Sequence, residues 1–427
     1  MARLIVRGGI RLKGVHRSPG NKNSALPMLA ACLLTDEPLV LDNVPQIEDV
    51  RTMLAILSAM GVCVQTSGRR VRLDSSGVKT TTLDPTLCRR VRSSVLLAGP
   101  VPARFGRLTL YPPGGDIIGR RPLDTHFQAL ARMGVRISCG KGAFNLRREG
   151  SRLRGGRILL DEASVTATET AIMASCLAQG ETEIFNAACE PHVRDLCDLL
   201  RKMGARITGD GTNLVRVSGV RSLGGAEHAV SPDYVDSASF IAAGILTGGN
   251  VSVGPVRPDD WEVIGRVFDR LGCRCAVTAD QIAVRPGHRL RVQAAVGGAI
   301  PKIEDGPWPA FPSDLMSLAV VMATQASGTV LFFEKMFESR LYFVDRLIEM
   351  GARIVPCDPH RVVVSGPVRL KGLTMASPDI RAGIALVVAA LCARGESIIE
   401  NAQSIDRGYE NVDAQLRLLG ADIERVD

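Results

Sequence analysis

Aromatic side chains are scarce in this chain: Phe, Trp and Tyr together make 4% of its 427 residues. So few rings argue against a platform on which single-stranded bases stack. No CxxC pair occurs among the 11 cysteines, and Cys32, Cys176 and Cys392 sit inside apolar runs. They read as buried, reduced thiols of a cytoplasmic protein, not as a disulfide framework or a redox motif. The six histidines include no HExxH spacing, so neither a catalytic metal nor another cofactor is expected. No apolar run reaches the length of a membrane span and the N-terminus shows no signal-peptide core, which leaves neither membrane insertion nor export as the expectation.

What is present is ordinary globular composition, 46% hydrophobic and 22% charged, in a chain long enough for two substantial cores. The net charge of +8 points to an acidic partner; nucleic acid, a membrane surface and anionic metabolites all qualify on charge alone.

The dominant pattern is a repeat. Six helix-like runs close on Met60-Gly61, Met133-Gly134, Met203-Gly204, Leu271-Gly272, Met350-Gly351 and Leu419-Gly420, roughly 70 residues apart. Extended segments follow, such as Ala205-Arg-Ile207, Ala352-Arg-Ile354 and Ala421-Asp-Ile423. Each unit also holds an Ala-rich stretch that is apolar nearly all round, as in Ala25–Leu34 and Gly383–Cys392, which marks a helix buried on every side. The order is strand and helix twice, then a hairpin, an α/β architecture of six repeated strand-helix-strand-helix-hairpin units. The sixth unit is short by one strand, and Arg3–Arg7 with Ile10–Gly14 matches Val362–Ser365 with Val368–Gly372. The N-terminal strand is therefore expected to complete the last unit. That assigns residues 22–230 to one lobe and 1–21 plus 231–427 to another, with small molecules expected at the cleft between them.

Four segments break the repeat. Ser18-Pro-Gly-Asn-Lys22-Asn23 puts a glycine turn, a lysine and free amides at a helix start, which suits an anion; a capped helix with a solvated lysine is the plain structural alternative. Tyr111–Asp124 carries Gly114, Gly115 and Gly119 among three prolines, with Asp116 beside Arg120 and Arg121, as a mobile loop closing over an anion would. Solvated charges on a surface loop would look similar. Ile303–Asp314 runs through Trp308 and Phe311 to Asp314, either a base or, as is commoner there, a helix cap. Ser404–Glu410 contains Asp406 and Arg407, for which a cap and a surface charge are the ordinary roles.

Read together, Ala103-Arg-Phe-Gly106, Pro113-Gly-Gly115, Arg121-Pro-x-Asp124, Phe311-Pro-x-Asp314 and Ile405-Asp-Arg-Gly-Tyr-Glu410 resemble the enolpyruvyl transferase family, over essentially the whole chain. The resemblance is to the branch whose acceptor is UDP-N-acetylglucosamine. It implies two inside-out α/β barrels of three repeats each and transfer of enolpyruvyl from phosphoenolpyruvate to the acceptor's 3′-hydroxyl, the first committed step of peptidoglycan synthesis. It further implies that Lys22, Arg121 and Arg407 hold phosphoenolpyruvate, with Arg381 nearby, and that Asp314 is the base. Asn23, Arg92, Pro122, Leu123, Asp124, Ser164, Val165, Asp314 and Met336 match positions that contact the nucleotide sugar. Lys22 and Arg407 count among the catalytic residues, as does Asp116. No nucleic acid or membrane partner is implied, and the protein is expected to be a monomer or a weak homo-oligomer.

Departures from the family pattern matter. The loop position that is usually cysteine is Asp116. A carboxyl can still deliver a proton in a closed site but is a poor target for alkylation, so resistance to the epoxide fosfomycin is expected. Glu162 stands where some members place a diphosphate-binding lysine, Thr166 replaces a frequent glycine, and Tyr234-Val-Asp236 replaces Arg-Ile-Glu. An acceptor such as UMP, or a non-catalytic basic paralogue, are the alternatives. The shikimate-phosphate branch fits less well, since it reads Lys-Ser where this chain has Lys22-Asn23 and lacks the Gly114-Gly-Asp116 loop.

Overall fold

The computed structural model describes residues 2–116, 118–287 and 289–426. Ile117, within the expected loop, and Asp427, at the end of the sixth repeat, lie outside the described residues. The chain divides into two compact units, one of Gly20–Gly115 with Arg121–Ser231, the other of Met1–Pro19, Asp116–Arg120 and Pro232–Asp427. The five-residue piece Asp116–Arg120 thus groups with the second unit, although the loop 111–124 was read as part of the first lobe.

Local chemistry explains the repeat. All six turn glycines have positive φ, between 85° and 106°. That left-handed conformation ends a helix at low cost because glycine has no Cβ, whereas most side chains are strained in it. Amphipathic helices such as Glu48–Met60, Pro191–Lys202 and Pro258–Arg270 stop at these glycines. The all-round apolar helices behave differently. In the second unit, Tyr234–Leu246, Met316–Gln325 and Ile380–Cys392 are buried almost end to end and pack against one another. Lys22–Ala31 and Val165–Cys176 take that place in the first unit. Their partner in the repeat is broken into the 3₁₀ stretch Arg92–Ala98 and the helix Pro100–Phe105, which begins at a proline and carries another at Pro102.

Sheets wrap these inner helices, three in each unit among the described residues. In the third repeat the parallel pair Arg157–Leu159 and Glu181–Phe185 is extended by the hairpin Arg206–Thr208 and Leu214–Ser218. Distant segments complete other sheets. Ala226–Ala229 lies parallel to Leu39–Asp42, and Lys13–Arg17 parallel to Asn250–Gly254. Arg3–Arg7 sits between Glu396–Glu400 and Asp422–Val426, antiparallel to both. Each unit has its own apolar core, where every fully buried Leu or Val contributes about 1.5–3 kcal/mol. No helix among the described residues is long and apolar enough to cross a membrane.

Candidate active site

In the first unit, Asn21 caps the helix Lys22–Ala31, its Oδ1 accepting from the amides of Asn23 (2.8 Å) and Ser24 (3.1 Å). This pins Lys22 at the first helical position. Its side chain is not solvated: the ammonium lies 2.7 Å from Asp49 Oδ2 and both groups are nearly enclosed. An ammonium taken out of water needs such a partner.

Arg92, at the start of its 3₁₀ stretch, donates to the carbonyls of Arg121 (2.6 Å) and Pro122 (3.4 Å). Burial, and then repulsion from Arg121, push its pKa down to about 10. Two guanidiniums that weaken each other make a place where an anion is favoured. The loop glycines allow this arrangement. Gly114 donates its amide to the Cys88 carbonyl (3.0 Å), and a Cβ on it would fall 1.7 Å from the Arg89 carbonyl oxygen. At Gly115, with φ +113°, an added Cβ would meet Arg92 Cβ at 2.9 Å and the Arg121 guanidinium at 3.2 Å. Gly114→Ala is therefore expected to cost about 2 kcal/mol and to lower kcat/KM about tenfold, measured by chemical unfolding and steady-state turnover.

The helices Asp124–Arg132 and Val165–Cys176 pack side by side, so Asp124, Ser164 and Val165 come from two neighbouring helix starts. Ser164 Oγ accepts from the Ala167 amide at 3.4 Å. Leu123 is buried just before the first of these helices. His126 Nε2 lies 2.8 Å from Thr166 Oγ1; burial, then the Arg92 charge, lower its pKa to about 3, so the ring is neutral. Thr125 Oγ1 donates to Glu162 at 3.5 Å. Helix starts offer unpaired amides to a diphosphate, but Glu162 adds a negative charge where an anion would prefer a lysine.

In the second unit, Asp314 does not cap a helix. It lies in the 3₁₀ turn Ser313–Leu315, and its carboxylate is gripped from two sides, Oδ1 by Arg340 (3.0 Å) and Oδ2 by Arg381 (2.7 Å). Asp379 caps the helix Ile380–Cys392 through the amides of Arg381 and Ala382 and lies 3.8 Å from Arg340. Burial alone would lower the Arg381 pKa, yet Asp314, then Tyr409 and Asp233, raise it above its ordinary value. A carboxylate held on each oxygen by a different guanidinium is fixed in orientation. Met336, partly exposed, opens the segment that reaches Arg340.

Asp406 is no cap either: Arg425 holds it bidentately at 2.7 and 2.9 Å. Its neighbour Arg407 is not a free surface charge, since Nη1 donates to Asp116 Oδ1 at 2.5 Å with both side chains mostly enclosed. Two further contacts dock the same short piece. The Ser339 amide donates to the Ile118 carbonyl (3.2 Å), and Gly119, at φ +134°, lies so close to Glu338 that a Cβ would meet its carboxylate. Among the described residues no group of three or more His, Cys, Asp or Glu is placed to hold a metal ion.

The sequence reading gave no role to Asp49, Arg340 or Asp379. Arg340 stands four residues after Met336, but nothing local marks it as the partner of Asp314.

The family model for EPSP synthase (3-phosphoshikimate 1-carboxyvinyltransferase) matches residues 6–416. A UDP-N-acetylglucosamine 1-carboxyvinyltransferase of Treponema denticola is 48% identical over 425 residues, 99% of each chain. A protein of the same name from Bradyrhizobium diazoefficiens is 47% identical over 423 residues, 99% of this chain and 97% of its own. Among solved structures, the enolpyruvyl transferase NikO from Streptomyces tendae aligns with TM-score 0.88 at 24% identity, over 100% of this chain and 99% of that one. That last likeness bears on the fold alone.

Proposed function

The chain belongs to the enolpyruvyl (1-carboxyvinyl) transferase family, and on that premise we propose that it transfers enolpyruvyl from phosphoenolpyruvate to the 3′-hydroxyl of UDP-N-acetylglucosamine, releasing phosphate. This is the first committed step of peptidoglycan synthesis. The observation that carries the reading is full-length identity of 47–48% to transferases named for that acceptor.

On this reading Asp314 takes the 3′-hydroxyl proton, its orientation held by Arg340 and Arg381. The freed oxygen bonds to C2 of phosphoenolpyruvate while C3 gains a proton from Asp116. The tetrahedral ketal then loses a C3 proton and phosphate, restoring the double bond. Lys22, Arg121 and Arg407 neutralise the phosphate and carboxylate; for the two arginines the planar guanidinium makes paired, charge-assisted bonds. Asn23, Arg92, Pro122, Leu123, Asp124, Ser164, Val165 and Met336 contact the nucleotide sugar. The reading also places the enzyme in the cytoplasm, where it works as a monomer or weak homo-oligomer and resists fosfomycin.

The test is phosphate release from phosphoenolpyruvate with UDP-N-acetylglucosamine, UMP or shikimate-3-phosphate offered separately. Turnover with UDP-N-acetylglucosamine alone is expected. Turnover with UMP instead would assign a different acceptor, to which the Glu162 and Thr166 departures would then belong. Silence with all three, together with salt-resistant retention on heparin, would support a binding paralogue.

A further inference from the structure

Behind Asp314 lies a second pair of acids that the reaction does not use. Asp305 follows the strand Lys302–Glu304 and Glu334 follows its parallel neighbour Gly328–Phe333. The register pairs Glu304 with Phe333 and so brings the next residues, Asp305 and Glu334, together. Both are completely buried. Asp305 Oδ1 accepts the Lys335 amide at 2.5 Å. Glu334 accepts the Ser313 hydroxyl on both oxygens, at 2.9 and 3.1 Å, and the Phe337 amide at 3.2 Å.

The charged groups around the pair do not neutralise it. Arg340 acts on Glu334 from a distance, but its hydrogen bond goes to Asp314. The ammonium groups of Lys302 and Lys335 turn to Glu304. His360 donates through Nδ1 to the backbone carbonyl of Glu334, not to its carboxyl. Asp305 Oδ2 is buried and meets no N–H or hydroxyl donor, so a proton on Glu334 is the donor left for it. Two adjacent buried carboxyls cannot both ionise. Burial first, and then the hydrogen bond and charge of Asp305, raise the Glu334 pKa to about 9.

What the pair holds is the base. Ser313 precedes Asp314 in its turn, and Phe337 lies three residues before Arg340. Both ends of the Asp314–Arg340 bond are thus anchored on one carboxyl group. We propose that Asp305 and Glu334 form a one-proton anchor of positioning residues that sets Asp314 and Arg340 in register for proton abstraction. The role in turnover rests on the function proposed above; the shared proton does not.

The experiment compares wild type with Glu334→Gln and Glu334→Ala. Burial beside Asp305 makes the folded protein keep the Glu334 proton to a higher pH than the unfolded chain, whose glutamate releases it near its ordinary value of 4.5. Between those values the native state binds more protons, so this group makes stability fall as pH rises. An uncharged amide with the same acceptor oxygen lacks that slope. The unfolding midpoint of Glu334→Gln is therefore expected to gain on wild type steadily from pH 5 to pH 9. Its kcat at pH 7 should stay within about threefold of wild type, whereas Glu334→Ala should lose about tenfold in kcat with little change in either KM. A midpoint difference that does not vary with pH overturns the shared proton. A Glu334→Gln enzyme with kcat reduced tenfold or more overturns the anchor, whether or not the alanine variant folds. If wild type turns over none of the three acceptors, the functional reading fails, while the midpoint slope still decides the shared proton.

Discussion

Asparagine in place of Asp314 is expected to lower kcat about 10³-fold, the scale of a positioned general base, with a much smaller change in KM for the nucleotide sugar. An amide cannot accept the hydroxyl proton. It also removes the negative charge that two guanidiniums share, at 3.0 and 2.7 Å. Arg340 and Arg381 are nearly inaccessible to water, so breaking this arrangement should also cost about 3 kcal/mol. Steady-state phosphate release and chemical unfolding separate the two effects. Loss of stability with kcat intact would leave Asp314 a structural counter-ion and remove it from the reaction.

Asp116→Asn is the second large effect, with kcat down about 10²-fold as befits loss of a general acid. The geometry adds a distinguishing sign. Asp116 Oδ1 already accepts from Nη1 of Arg407 at 2.5 Å, so an anionic substrate that uses that nitrogen competes with a carboxylate. The neutral variant removes that competition, and KM for phosphoenolpyruvate is expected to fall together with kcat. Asp116→Cys should retain turnover and become sensitive to fosfomycin, because a thiolate opens an epoxide far more readily than a carboxylate does. Wild type, incubated with fosfomycin and sampled over time, should lose no activity and gain no mass. A covalent adduct on wild type would sink this account of the loop.

The solvated lysine at Lys22 and the capping roles considered for Asp314 and Asp406 fail for one reason, although Asn21 does cap its helix. Lys22 is buried against Asp49, Asp314 is bound by Arg340 and Arg381, and Asp406 is held by Arg425. Capping and solvation are local expectations, drawn from residues within a turn of each other. The observed partners lie between 19 and 67 residues away. No periodicity links such positions, so only a known family pattern could single out Asp314 and Arg407, and it did not reach Arg340 or Asp49.

Sequence by itself determined what depends on neighbours along the chain. The six turn glycines take positive φ because a helix must end there and most side chains would be strained in that conformation. The helices apolar on every face are interior because no orientation would leave them a polar side for water. From these two signals the six repeats and the α/β class follow. Tertiary structure decided which charges meet. Enclosing Lys22, Arg340, Arg381 and the Asp305–Glu334 pair makes each depend on a partner brought from a different element of the fold. Away from water, the free energy of a charge is set by the groups folding places beside it, and that placement is a property of the packed chain, not of any stretch of it.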